Sequence, residues 1–125
     1  MAELIYKEEC YRIIGACMEV YREKGCGFTE PVYQECLEME LDLQGIPFLP
    51  QHGIPLTYKR RALQKRFVAD VFCDGKIIVE LKAVSRVTDE HRAQLLNYLH
   101  ATKCRLGLLV NFGHYPKLEW ERIVI

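Results

Sequence analysis

Residues 69–82, Ala-Asp-Val-Phe-Cys-Asp-Gly-Lys-Ile-Ile-Val-Glu-Leu-Lys, constrain the fold more than any other part of the chain. Asp74-Gly75 is a strong turn signal between two apolar runs, so 66–73 and 76–82 are expected to pair as a β-hairpin. Inside those runs stand Asp70, Glu80 and Lys82. Charge within an apolar strand is costly unless it is paired or bound to a metal. Glu80 and Lys82 are two apart, so they share a face with Ile78, while Val79 and Leu81 take the other.

The loop length decides whether Asp70 joins them. A two-residue Asp74-Gly75 loop sets Asp70 against Val79 and separates the acids. A three-residue loop centred on Gly75, or a bulge, sets Asp70 against Glu80. In that register two carboxylates and an ammonium converge. Carboxylate oxygens are ligands that magnesium prefers. Lys82 beside them is suited to orient or deprotonate a water, or to offset phosphate charge. The plain alternative is an Asp/Glu/Lys salt-bridge cluster.

The rest of the chain supplies an α/β frame. Apolar residues over 3–22 (Ile5, Ile13, Ile14, Cys17, Val20, Tyr21) recur near helical spacing, and Gly25-Cys26-Gly27 ends that helix. Thr29 is expected to cap a second helix, with Pro31 in its first turn, running to about Gln44 before Gly45 and Pro47. Residues 54–58 alternate weakly as a strand, and Lys59-Arg60-Arg61 reads as a hairpin tip. Thr88 or Ser85 is expected to cap a helix to about Thr102, with Ala93, Leu95, Leu96 and Leu99 as its apolar members. Strands are expected at 106–111 and 119–125. The order ααβββαββ implies a single domain over 1–125 with a mixed sheet, and the strand–helix–strand crossover makes its two strands parallel.

Composition narrows the function classes. Of 125 residues, half are hydrophobic and 27% charged, as in a chain with a real core. No apolar run approaches the roughly 18–20 residues of a membrane span. The start, MAELIYKEEC, lacks the basic and apolar segments of a signal peptide. A cytoplasmic protein without membrane association is therefore expected. The six cysteines show no CxxC pair or zinc-finger spacing, so free thiols are expected.

The zero net charge hides an asymmetry: residues 1–50 carry −6 and residues 51–125 carry +6. The bases are densest at Lys59, Arg60, Arg61, Lys65 and Arg66, with no acid between them. A one-sided basic surface suits a protein that meets phosphate on one side. A solvated hairpin is the ordinary alternative. Glu30 opens the second helix, where the helix dipole favours an acid regardless of function. Gln94 and Tyr98 lie four apart on one face of the third helix, with His91 a turn earlier. A polar row there is suited to line the same pocket as Glu80 and Lys82, although an amphipathic margin reads alike.

Asp70, Glu80-Leu81-Lys82 and Gln94-Leu95-Leu96-Asn97-Tyr98, in this order, resemble the PD-(D/E)XK nuclease superfamily. The QxxxY element is similar to that of the RecB-type exonuclease branch. The segment GFTEPVY matches the pattern that names the small bacterial GxxExxY proteins. The resemblance runs from about Ile5 to Phe112. It implies a restriction-endonuclease-like fold, a central mixed sheet flanked by helices. It further implies that Asp70 and Glu80 bind Mg2+ or Mn2+, with the Leu81 carbonyl as another ligand. Lys82 would assist the attacking water, Glu30 would be the helix-borne acid, and Gln94 and Tyr98 the auxiliary motif. Asp70 follows Ala69 here, where the family pattern has proline.

The expectation is a metal-dependent nuclease, acting on DNA more than RNA, with Lys59, Arg60, Arg61, Lys65 and Arg66 holding the nucleic acid. Two alternatives remain at this point: a non-catalytic binding or regulatory module, and a subunit that needs a partner. A chain this small offers little surface to a duplex, which points to a homodimer or a partner protein.

Overall fold

The computed structural model describes residues 4–125. Helices α1 (Lys7–Lys24) and α2 (Glu30–Leu43) come first, then strands β1 (Phe48–Tyr58), β2 (Arg61–Cys73) and β3 (Ile77–Lys82). Helix α3 (Asp89–Thr102) and strands β4 (Leu106–Asn111) and β5 (Glu119–Val124) complete the chain. This is the ααβββαββ order of a restriction-endonuclease-like fold. The five strands stand in the order β1-β2-β3-β4-β5. Only β3 and β4 run parallel, joined by the α3 crossover, so the sheet is mixed.

Each face of the sheet buries a separate cluster. Cys10, Ile13, Cys17 and Val20 of α1 and Tyr33, Leu37 and Leu41 of α2 pack on Val71, Ile77, Val79, Leu81, Leu106 and Leu108. On the other face Leu95 and Leu99 of α3 pack on Phe67, Ala69, Ile78 and Leu109. The alternation along β3 is the expected one: Val79 and Leu81 point to α1 and α2, and Ile78 points to α3. The parallel strands β3 and β4 are apolar on both faces because both are covered.

Several boundaries differ from the sequence expectation. Residue 3 lies outside the described residues, and α1 begins at Lys7, after Tyr6 in a left-handed conformation (φ 53). Strand β1 begins at Phe48 rather than near 54. Pro50 and Gly53 mask it in the sequence, yet β1 is an edge strand, where proline loses no ladder bond. Strand β2 begins at Arg61 rather than 66, because the β1–β2 ladder continues to Tyr58↔Arg61. On α3 only Leu95 and Leu99 are buried; Ala93 and Leu96 face solvent, since one turn-to-turn row suffices to cover the sheet. Among the described residues no helix is long and apolar enough to cross a membrane.

Candidate active site

The β2–β3 connection has three residues: the ladder pairs Val71↔Val79, Phe72↔Ile78 and Cys73↔Ile77. Asp74 and Gly75 both take positive φ (55 and 67), and the Lys76 amide donates to the Cys73 carbonyl at 3.0 Å. This is the odd loop that the chemistry demanded, and its register carries Asp70 on to Glu80. There the backbone ladder ends. Asp70 instead uses its side chain: Oδ2 accepts from the Leu81 amide at 2.8 Å. A strand residue points its N–H and C=O to the same side. The Leu81 carbonyl is therefore directed toward Asp70 as well.

Asp70 stands at an irregularity in the sheet. Its neighbour across the ladder, Gln51, has φ 47, and their pair is missing from the register that runs from Phe48↔Cys73 to Pro55↔Arg66. Ala69 packs in the α3-side cluster and Val71 in the α1/α2-side cluster, although they are only two apart. A regular strand keeps such residues on one face. The break re-aims Asp70, and Gln34 of α2 secures it: Nε2 donates to the Asp70 carbonyl and to Glu38 Oε2, each at 2.8 Å.

Glu80 is buried, and its Oε1 has no hydrogen-bond partner. Burial, then the Asp70 charge, pushes its carboxyl up to about 8. Burial also raises Asp70, against the Leu81 amide, the Glu80 carboxyl and Lys82. Glu30 is half-buried at the start of α2; burial raises it, Asp70 raises it further and Lys82 lowers it. Tyr98 is raised by burial and by Glu80 and Asp70, while the Gln94 amide opposes the shift. Asp70 thus lies within electrostatic reach of Glu30, Glu80, Lys82 and Tyr98, and Lys82 also within reach of Glu30 and Glu80, with Gln94 exposed at the margin beside Tyr98. His91 acts locally instead, its Nδ1 accepting from the Thr88 amide at 3.1 Å to cap α3.

A cleft of about 450 Å³ opens on the α2 side, lined by Glu30, Pro31, Gln34, Glu35, Glu38, Gln51 and Asp70. Asp70 joins it to the α3 side, where Glu80 and Lys82 lie. A larger cavity of about 830 Å³ between α1 and β5 contains none of the expected site residues. Among the described residues no group of three or more His, Cys, Asp or Glu is placed to hold a metal ion. The donors on offer are two carboxylates and a carbonyl. That set suits magnesium, which keeps several waters and takes one or two carboxylates. The orphaned Glu80 oxygen, desolvated beside a second carboxyl, fits a cation better than it fits an ordinary core.

The basic residues lie elsewhere. Lys59 and Arg60 form the β1–β2 turn, and Arg61, Lys65 and Arg66 follow on β2, all exposed. Arg66 is about 13 Å along the strand from Asp70, and Arg61 on the order of 30 Å, at about 3.3 Å per residue. Phe67 marks where the ribbon leaves the body: it stacks on Tyr98 with ring centroids 3.8 Å apart.

Three supporting groups escape a reading of the sequence. Tyr33 is fully buried and stacks on Phe112 at 4.7 Å. Its hydroxyl accepts from the Phe28 amide at 3.1 Å and donates to the Gly25 carbonyl, pinning the turn that presents Glu30. Thr29 occupies the N-cap position without a side-chain cap bond, so this tyrosine supplies the restraint that Thr29 was expected to give. Asn111 is fully buried. It accepts from the Val84 and Gly113 amides (both 3.0 Å) and donates to the Val84 carbonyl and Glu119 (both 2.9 Å). It thereby fixes the segment that follows Lys82. The lone polar residue ending the apolar run 106–111 was the available signal. Gln34 had none, because its partner is a backbone carbonyl.

A family model described as the PD-(D/E)XK nuclease superfamily matches residues 7–123. No curated protein matches the chain. Among solved structures, the crystal structure of SSO0001 is similar, with a TM-score of 0.60 and 17% identity over 95% of this chain. The chain spans 57% of that protein's length. At this identity the likeness concerns the fold alone.

Proposed function

The chain belongs to the PD-(D/E)XK nuclease superfamily, and we propose that it is a divalent-metal-dependent nuclease that hydrolyses phosphodiesters, of DNA in preference to RNA. The observation that carries this reading is the meeting of Asp70 and Glu80, with Glu80 Oε1 buried and unpartnered. Asp70, Glu80 and the Leu81 carbonyl are the groups assigned to hold Mg2+ or Mn2+. The bound ion supplies Lewis-acid stabilisation of phosphate charge and a lowered water pKa.

The chain's own residues do the rest. Asp70 is kept in place by the Leu81 amide and, through its carbonyl, by Gln34. Glu80 is held desolvated, so its charge acts at short range in a medium of low dielectric. Lys82, two residues on and on the same face, orients the attacking water and offsets charge on the phosphate. Glu30 presents a further carboxylate across the cleft. Tyr98 and Gln94 border the pocket and fix its α3 wall. The basic residues Lys59, Arg60, Arg61, Lys65 and Arg66 hold the flanking phosphates.

The test is a cleavage assay on single- and double-stranded DNA with Mg2+ or Mn2+. Cleavage is expected to need the ion, and Lys82→Ala to lower its rate by about 10²–10⁴ with binding retained, the scale of a lost acid–base or water-positioning group. Equal rates for the wild type and Lys82→Ala overturn the assignment. The zero net charge favours a second reading, a nuclease-fold module that binds without turnover or cuts only with a partner. Binding without cleavage by the wild type supports that reading.

A further inference from the structure

Two turns among the described residues hold a consecutive pair at positive φ and have opposite chemistry. At Asp74-Gly75 the φ values are 55 and 67; at Lys59-Arg60 they are 48 and 67. Tight hairpin turns with both central residues at positive φ favour Asn-Gly or Asp-Gly, because side chains crowd the backbone there. The inner turn follows that preference. The outer turn sets two long basic side chains in the strained positions. Strain of this kind persists where function outweighs local preference.

The segment that the outer turn closes is built for contact. From 43 to 69 the chain has no acid, while five bases stand between 59 and 66. Beyond Phe67 the ribbon leaves the core: residues 57–66 are all exposed. Tyr58 (64% exposed) and Leu63 (45%) stand out among the bases, and Lys59 Nζ lies 5.5 Å from the centre of the Tyr58 ring. The ladder shifts register between Pro55 and Thr57, an irregularity of the kind that breaks regular strand pairing. Apolar groups interspersed among bases suit base edges and sugars flanked by phosphates.

We infer that the β1–β2 ribbon is an arm that lies in the major groove of B-form duplex DNA, which makes double-stranded DNA the substrate class of the site at Asp70 and Glu80. This rests on the nuclease reading for the chemistry, not for the binding. The major groove of B-DNA is about 12 Å wide and admits a two-stranded ribbon. The major groove of A-form RNA is deep and narrow and does not. A single strand has no groove to hold both sides of the ribbon.

The experiment measures equilibrium binding of full-length Lys82→Ala to a 30-base-pair DNA duplex, the matching RNA duplex and the single strand. A second protein adds K59N/R60G, which replaces the outer turn by the favoured Asn-Gly pair and removes two charges. The expected result is preference for the DNA duplex and, for the added pair, an unchanged or higher melting temperature with weaker binding. The slope of log affinity against log salt should flatten by about 1.8, at about 0.9 per lost phosphate contact. Equal affinity for the RNA duplex or the single strand overturns the groove assignment. An unchanged salt slope overturns the arm. The rise in melting temperature with manganese, read on both proteins, reports the Asp70/Glu80 site alone. Its absence refutes the nuclease reading and leaves the arm to stand or fall on the binding data.

Discussion

The Asp70 carboxylate accepts the Leu81 amide at 2.8 Å, so a side chain takes over where the backbone ladder of β2 and β3 stops at Val71↔Val79. That substitution brings two acids of neighbouring strands together and turns the Leu81 carbonyl toward them. The arrangement stores repulsion, and its consequences are measurable.

Without metal, stability should fall as pH rises from about 4.5 to about 8. Burial and Asp70 raise Glu80 from 4.5 to about 8, so the folded state holds a proton in that window that the unfolded chain has lost. The native state binds more protons, hence the slope of unfolding free energy against pH is negative. Glu80→Gln removes the titration and should flatten the slope. Melting temperatures in chelator between pH 5 and pH 8.5 decide it; a wild type that gains stability with pH contradicts the burial of this carboxyl.

Tyr33→Phe keeps the stack on Phe112 but deletes the hydroxyl that holds the Phe28 amide and the Gly25 carbonyl. Leaving these groups unpaired should cost about 2 kcal/mol, roughly 8 °C in melting temperature for a domain of this size. Thermal unfolding followed by circular dichroism is the check. An unchanged melting temperature means that the turn before Glu30 is held by other groups.

Asn111→Ala should be more severe. It removes every partner that Asn111 gives to Val84, the Gly113 amide and Glu119, at about 1–3 kcal/mol per buried group left unpaired. Gly113→Ala attacks the same junction sterically, since a Cβ there would lie 2.5 Å from the Val84 nitrogen and oxygen. Denaturant unfolding of both variants tests this. Wild-type midpoints for either show that the segment after Lys82 yields more easily than its packing suggests.

Much of the frame is legible in the sequence because the signals there are local. The run 106–110 is apolar, and β4 forms over Leu106–Asn111. The pair Asp74-Gly75 forms its turn with both φ values positive. Two kinds of feature are hidden. The outer ribbon has no alternation to reveal it, since residues 61–66 are exposed on both faces. Gln34 supports the site through the backbone carbonyl of Asp70, a partner that leaves no trace in residue type, and Asn111 shows only as a polar end to an apolar run, with its partners Val84 and Gly113 unmarked. The face change between Ala69 and Val71 lies opposite Gln51, whose positive φ its residue type does not announce.

The most direct test of the site is thermal unfolding of the wild type and Asp70→Asn across a manganese series. An ion bound only by the folded state stabilises it by mass action, about 2.7 kcal/mol at one hundred times Kd. The account predicts a concentration-dependent rise in the wild type's melting temperature, largely lost in Asp70→Asn. If both proteins rise equally, or neither rises at millimolar manganese, Asp70 and Glu80 do not form a metal site.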